Sequence, residues 1–387
     1  MYNIHCLDRI SEKGLIRFSE NYNAGAEMNQ ADAVLVRSTK MHGMEIPESL
    51  LAVARAGAGV NNIPLEEYAE KGIIVFNTPG ANANAVKEQV IACLLLASRD
   101  LIGGNEWVKV NTEDEGIAKS AEKAKKAFAG HEIYGKKLGV IGLGAIGQLV
   151  ANAAQSLGME VYGYDPYLSV NAAWNLSRKI KHIQDVKDIY RDCDYITIHV
   201  PALDTTKGMI GEEAFAMMKD GVVIVNCARD ILVNDEALSR AIKDGKVAKY
   251  VTDFANPAVV HMENVIVFPH LGASTEEAEE NCAMMAADEL MDYLENGNIL
   301  HSVNYPDCDA GVCQTKVRMT VAHRNVPDTL SKITSALGAS GINISSMANK
   351  SRGEYAYSVL DADSDITDEI VDMIKSIEGV IRVRILK

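Results

Sequence analysis

The chain has 387 residues, 48% of them hydrophobic, and a formal charge of −15. That length suits several domains with sizeable cores, and the negative balance excludes a sequence-independent nucleic-acid binder, which needs a basic face. Seven cysteines without a C-x-x-C pair, no apolar run of membrane-spanning length and no charged-then-apolar leader in MYNIHCLDRI lead us to expect a cytoplasmic protein with reduced thiols, no metal and no membrane partner.

The first hundred residues alternate short strands and helices. Strands are expected at Ala33 to Val36, Ala52 to Ala56 and Ile73 to Phe76, and helices at Pro47 to Leu51 and Leu65 to Ala69. Val86 to Ala97 is apolar on most sides and reads as a buried helix. Gly103 to Glu132 is polar and charged, and reads as a solvated helix or an interface arm.

Gly135 to Asp165 organises the middle of the chain. Leu138, Val140 and Ile141 suit a buried strand, then Gly142, Gly144 and Gly147 come in the spacing G-x-G-x-x-G, and Ile146, Leu149, Val150 and Ala153 recur at helical spacing. A second strand, Val161 to Tyr164, ends at Asp165 and Pro166. Gly142 permits the tight turn, Gly144 lets a pyrophosphate reach the backbone, and Gly147 lets the helix pack close to the strand. The helix start, at Ala145 and Ile146, offers free N–H groups to phosphate. A carboxylate at Asp165 accepts from ribose hydroxyls and repels a 2′-phosphate, so NAD is the expected cofactor.

Further strands are expected at Tyr195 to His199, Val222 to Asn226, Tyr250 to Asp253 and Val265 to Phe268. Ligands sit beyond the carboxyl ends of such strands, so Val200, Pro201, Cys227, Ala228, Arg229, Asp253, His270, Gly272 and Ala273 are expected to converge on one crevice. Glu276 to Leu294 reads as a long amphipathic helix, and a linker with Pro306 and Gly311 comes after it. From Thr315 the order is strand, helix, strand, strand, helix, strand (317–322, 328–338, 343–349, 354–361, 368–377, 380–386), the βαββαβ of a ferredoxin-like domain.

With ARAGAGVNNI (Ala54 to Ile63), NTPGANANAVKEQ (Asn77 to Gln89), VNCARDILVNDEAL and ENVIVFPHLGASTEEA, residues 1 to about 303 resemble the D-isomer-specific 2-hydroxyacid dehydrogenases, and the C-terminal part resembles an ACT domain. The resemblance implies an α/β chain of two doubly wound parallel-sheet domains, Rossmann-like and flavodoxin-like, followed by the ACT domain. It places a discontinuous substrate domain at 1–102 and 274–303, an NAD domain at 103–273, a linker at 304–314 and the ACT domain at 315–387. The two together imply oxidation of 3-phospho-D-glycerate to 3-phosphohydroxypyruvate, the first step of L-serine biosynthesis, by a homodimer or homotetramer.

The same resemblance implies residue roles. His270 is the general acid/base, since an imidazole exchanges protons near neutral pH. Arg229 offers a planar fork to the substrate carboxylate and the reacting oxygen. Asp253 faces the nicotinamide carboxamide. Asn256 stands where the family has the glutamate that orients the histidine, in a shorter stretch, so either Asn256 holds His270 without charge or another acid such as Glu263 substitutes. Arg37, Ser38, Arg55, Ala58, Gly59 and Asn82 match substrate-binding positions, and two arginines suit a phosphorylated substrate. His323, Asn325 and Asn343 match an L-serine site in the ACT domain, where Asp328 replaces a usual glycine and is placed to cap the helix. Three alternatives remain: an ACT domain kept for dimerisation alone, a reductase for hydroxypyruvate or glyoxylate, and an NAD(H)-sensing corepressor-like scaffold.

Overall fold

In the computed structural model, which describes residues 1–386, the chain divides into two units: Met1–Asn82 with Glu279 onward, and Ala83–Ala278. Lys387, the last residue of the expected ACT domain, lies outside the described residues. The first unit opens with β1 (Tyr2–Cys6), α1 (Glu12–Leu15), β2 (Tyr22–Asn23), β3 (Ala33–Val36), β4 (Ala52–Arg55), α2 (Leu65–Glu70) and β5 (Ile74–Asn77). The five strands are parallel, in the order β2-β1-β3-β4-β5. Every residue of β3 is buried, as a strand covered on both faces requires. The helix expected over Pro47 to Leu51 is instead a turn. Leu50 N–H donates to Pro47 O at 3.1 Å and Ser49 Oγ donates to Ala31 O at 2.9 Å. Five residues led by a proline make too few helical bonds to offset nucleation.

The second unit begins with α3 (Ala83–Ser98), α4 (Leu101–Val110) and α5 (Ile117–Ala124). Val86, Val90, Cys93 and Leu94 of α3 pack into one core with Leu138, Val140 and Val150. The helix α3 thus belongs with the compact unit that begins at Ala83. The polar stretch after α3 behaves as expected, for α4 and α5 bury no residue. Then come β6 (Lys137–Ile141), α6 (Ala145–Ser156), β7 (Glu160–Tyr164), α7 (Val170–Asn175), β8 (Lys181–His182), α8 (Val186–Asp192), β9 (Tyr195–Ile198), α9 (Glu212–Met217), β10 (Val222–Asn226), α10 (Asp235–Lys243), β11 (Val247–Thr252) and β12 (Val265–Val267). The sheet is parallel, ordered β12-β11-β10-β9-β6-β7-β8. The chain winds one way from β6 and the other way from β9, so the switch point lies between those two strands.

The long helix α11 (Glu276–Asn296) leads back to the first unit. The last part is β13 (Val317–Arg324), α12 (Thr329–Ala339), β14 (Ile344–Arg352), β15 (Tyr355–Ala362), α13 (Asp368–Lys375) and β16 (Val380–Leu386), with an antiparallel sheet ordered β14-β15-β13-β16. That is the expected βαββαβ domain. It packs within the first unit rather than standing alone: Ala322, Tyr357 and Val359 share a core with Phe76, Leu290 and Tyr293. Arginines tie it down further. Buried Arg318 pairs with Asp361 through two nitrogens, at 2.6 and 2.8 Å, and donates to the carbonyls of Asn296, Ala310 and Gly311. Arg384 donates to the carbonyls of Tyr293 and Leu294, and Arg352 to that of Ser302. Asp328 stands at the start of α12, as expected, but its side chain does not cap the helix. It adopts a φ of +71°, the left-handed region that favours glycine, and its carboxylate pairs with Lys332 at 3.2 Å.

Candidate active site

Gly142 and Gly147 shape the turn between β6 and α6. Gly142 has φ +91°, its N–H donates to Tyr164 O at 2.8 Å, and a Cβ there would sit 2.5 Å from His199 O. A Cβ on Gly147 would sit 1.9 Å from Gly142 O, so only glycine lets α6 start this close to β6. A Cβ on Gly144 would meet nothing within 4 Å, and no side chain caps α6. The amides at Gly144, Ala145 and Ile146 therefore border open space at the positive end of a twelve-residue helix, the cradle that a pyrophosphate fits.

Asp165 ends β7. Its Oδ2 accepts Leu143 N–H at 2.9 Å and its Oδ1 accepts Tyr167 N–H at 2.8 Å, which fixes the carboxylate beside the glycine turn with lone pairs to spare for ribose hydroxyls. Pro166 comes next, exposed. Val200 and Pro201 extend β9 on the other side of the switch point. His199, between them and the strand, is not among the expected site residues. Its Nε2 lies 3.0 Å from Thr197 Oγ1, and burial pushes its pKa down to about 4, so it lines the turn as a neutral ring.

Asp253 follows β11 with 1% exposure. Its Oδ2 accepts from Gln89 Nε2 at 2.8 Å and from Gly272 N–H at 3.1 Å, and its Oδ1 has no partner. A buried carboxylate oxygen without a donor is costly, and a carboxamide NH₂ is the donor that nicotinamide carries. The residues present thus fit a dinucleotide at both ends. Cys227 lies against the same cluster, 3.6 Å from Gln89 Nε2 and 4.0 Å from Cys93 Sγ. Ala273 succeeds Gly272 in the turn after His270.

Arg229 is exposed, and its fork spends one donor, on Ala228 O at 2.6 Å. The loop that presents it is built by Asn226, which is fully buried. Asn226 Nδ2 donates to Arg229 O at 2.8 Å and to Tyr250 Oη at 3.2 Å, while its Oδ1 accepts Ala228 N–H at 3.2 Å. His270 is exposed after β12, and its ring lies against Phe254, with centroids 4.7 Å apart and planes tilted by 49°. Asn256 is engaged elsewhere. Its Oδ1 accepts the N–H groups of Ala258 and Val259, both at 2.9 Å, and its Nδ2 donates to Asp235 Oδ2 at 3.1 Å. Glu263 is exposed in the turn before β12.

In the first unit, Arg37 and Ser38 leave β3 beside Arg55 at the end of β4, where Val36 and Arg55 are register partners. Asp8, which no sequence motif singles out, holds this corner. Its Oδ2 accepts the N–H groups of Arg37 (2.6 Å), Ser38 (2.9 Å) and Thr39 (3.2 Å), and its Oδ1 accepts from Thr39 Oγ1 at 2.8 Å. Burial raises its pKa, but these bonds outweigh that effect and hold the carboxyl below its usual range. Arg37 Nη2 pairs with Glu279 at 2.5 Å, and Arg55 Nε donates to Arg37 O at 3.1 Å. Ala58 and Gly59 form the next loop, where Ala58 O accepts from Asn77 Nδ2 at 2.7 Å, and Asn82 closes this stretch of the unit, half-buried.

In the C-terminal domain His323 is 3% exposed, and its Nε2 lies 3.0 Å from Ser358 Oγ and 3.2 Å from Asn349 Oδ1. Asn325 Nδ2 donates to Gly353 O, and exposed Asn343 donates to Asp363 Oδ2 at 2.7 Å. No hydrogen bond links Asn343 to the other two. Among the described residues, no group of three or more His, Cys, Asp or Glu could hold a metal ion, and no helix is long and apolar enough to cross a membrane. The seven cysteines are free.

Comparison with known proteins converges on one family. Residues 91–272 match the family model described as "D-isomer specific 2-hydroxyacid dehydrogenase, NAD binding domain". The D-3-phosphoglycerate dehydrogenase of Haemophilus influenzae is 32% identical over 354 residues, covering 89% of this chain and 83% of that protein. The enzyme of the same name from Methanocaldococcus jannaschii is 37% identical over 291 residues, 73% of this chain, but the match spans only 53% of that longer protein. Among solved structures, the NAD⁺-bound 3-phosphoglycerate dehydrogenase of Entamoeba histolytica superposes with a TM-score of 0.62 at 26% identity, covering 78% of this chain and 98% of that one. The chain belongs to the D-isomer specific 2-hydroxyacid dehydrogenases, NAD-dependent enzymes, and its second unit carries their NAD-binding domain.

Proposed function

We propose that the protein oxidises 3-phospho-D-glycerate to 3-phosphohydroxypyruvate with NAD, as the first step of L-serine biosynthesis in the cytoplasm. The observation that carries this reading is Arg229 and His270 at the carboxyl ends of one sheet whose glycine turn fits a dinucleotide, in a chain aligned over most of its length with a phosphoglycerate dehydrogenase. Bound NAD supplies the hydride acceptor. The amides of Gly144, Ala145 and Ile146 hold its pyrophosphate, Asp165 its adenosine ribose and Asp253 its carboxamide. His270 takes the proton of the substrate 2-hydroxyl as general base and returns it in reduction. Arg229 holds the carboxylate and the reacting oxygen, which keeps the C2 hydrogen oriented and stabilises charge on that oxygen.

The substrate's phosphate and carboxylate are assigned to Arg37, Ser38, Arg55, Asn82 and the amides of Ala58 and Gly59, a donor set suited to two anionic groups. The C-terminal domain is assigned to serine feedback through His323, Asn325 and Asn343, and the enzyme to a homodimer or homotetramer.

The test is NAD reduction by 3-phosphoglycerate in purified protein, with product withdrawn, with and without L-serine, beside His270→Ala. Turnover lost in His270→Ala and depressed by serine supports the reading in full. Turnover insensitive to serine removes the feedback role. Absence of turnover with phosphoglycerate, but turnover with hydroxypyruvate or glyoxylate and NADH, replaces the substrate.

A further inference from the structure

We infer that Phe254 is the positioning residue for His270, doing by ring contact what a charged partner does elsewhere in the family; this rests on the reading of His270 as the acid/base. Among the described residues the imidazole of His270 makes no hydrogen bond. Only its backbone carbonyl is engaged, at 3.5 Å from Ser274 Oγ. Its ring contact is with Phe254, at 4.7 Å between centroids. The amide group of Asn256 is consumed by Ala258, Val259 and Asp235. An exposed histidine in a turn with no other restraint samples several rotamers, and a proton acceptor that wanders by an ångström loses much of its rate.

The backbone of Phe254 is anchored, and its side chain is half-buried. It succeeds Asp253, which is buried and bonded on Oδ2, and its own N–H donates to the Oγ1 of buried Thr252 at 3.1 Å. Gly272, two residues beyond His270, is tied to the same Asp253. The two ends of the contact, Phe254 and the His270 turn, are thus referred to one buried carboxylate. The separation lies within the roughly 4.5–7 Å over which aromatic rings attract, and the contact restricts the imidazole without placing a charge beside it.

The test compares Phe254→Leu with Phe254→Tyr, which keeps the ring. Leu should lower kcat roughly ten- to a hundredfold while substrate KM and NADH Kd stay within about twofold, and Tyr should restore kcat to within about threefold of the parent. Circular dichroism and Tm show that both variants are folded. A Leu variant with the parent's kcat, or a Tyr variant as slow as Leu, overturns the proposal. If the parent protein turns over no 2-hydroxy acid, the functional reading fails, and the contact is then judged by NMR of ring-labelled histidine. Here the His270 resonance, identified by its absence in His270→Ala, should be displaced by the Phe254 ring current and move in Phe254→Leu. An unmoved resonance overturns the contact without reference to activity.

Discussion

Asp253 and Gly272 are joined by a 3.1 Å hydrogen bond from the Gly272 N–H to Asp253 Oδ2. The bond ties the end of β11 to the turn that carries His270, across a gap that the chain otherwise spans through β12. Gln89 of α3 donates to the same oxygen at 2.8 Å, so one buried carboxylate gathers three segments while its Oδ1 stays without a donor.

Asp253→Ala should therefore cost both folding and cofactor affinity. Gln89 and Gly272 lose their acceptor, a loss of about 1–3 kcal/mol for buried donors left unpaired. The Kd for NADH should rise roughly tenfold or more. Fluorescence titration with NADH, beside urea unfolding, separates the two. An unchanged Kd would remove the carboxamide role.

Asp165→Asn tests coenzyme choice. Asn keeps one acceptor for the Leu143 or Tyr167 N–H and removes the charge that repels a 2′-phosphate. The ratio of kcat/KM for NAD over NADP should fall by roughly tenfold. Steady-state kinetics with both coenzymes read it directly, and an unchanged ratio would place selectivity elsewhere.

Asn226→Ala strips the loop of Arg229 of its support. The Ala228 N–H and the Arg229 carbonyl lose their buried partner, for about 1–3 kcal/mol of stability. The kcat/KM for substrate should fall further than the lost stability alone explains, because the guanidinium loses its place. Guanidinium unfolding together with kinetics at low temperature, where the variant is folded, checks both.

The contrast between Asp165 and Asn226 shows what a sequence makes legible. Gly142, Gly144, Gly147 and Asp165 lie in one βαβ unit, so their chemistry is written at short, fixed spacing, and the turn at Gly142 and the close approach at Gly147 are local consequences of it. Asp8 acts on residues 37 to 39, and Arg318 finds Asp361 forty-three residues away. Such partners are set by sheet order, which no local pattern encodes. The helix expected at Pro47 to Leu51 fails for the opposite reason: the alternation of strands and helices suggests a helix where proline and shortness make a turn. Phe254 stays hidden because a phenylalanine beside a strand reads as core, and only its neighbour gives it a second meaning.

Arg318 and Asp361 form a buried pair, with side-chain exposures of 0% and 9%. Removing one partner strands a buried charge, so Arg318→Met should cost about 3–5 kcal/mol. The double variant Arg318→Met, Asp361→Leu should recover only part of that, because the carbonyls of Asn296, Ala310 and Gly311 remain without the donors that Arg318 supplies. A double-mutant cycle by urea unfolding measures it, and full recovery would mean that the carbonyl contacts carry no weight.

Glu289 on α11 gives the first unit a stability that depends on pH. Burial, reinforced by Asp288 and Asp307, pushes its pKa up to about 9, while one oxygen lies 2.9 Å from His301 Nδ1 and the other has no partner. The folded form therefore holds a proton that the unfolded chain releases above about 4.5, the ordinary value. Between those two values the folded state binds more protons than the unfolded state. Stability is then fully present below about 4.5 and declines as pH rises toward 9. Glu289→Gln keeps the shape and removes the titration. It should match the parent near pH 4.5 and exceed it at pH 8 by about 2–4 kcal/mol, the full linkage value being reduced by relaxation around the charge. Urea unfolding of both proteins at the two pH values tests this, and equal stability at pH 8 would mean that Glu289 ionises in place without cost to the fold.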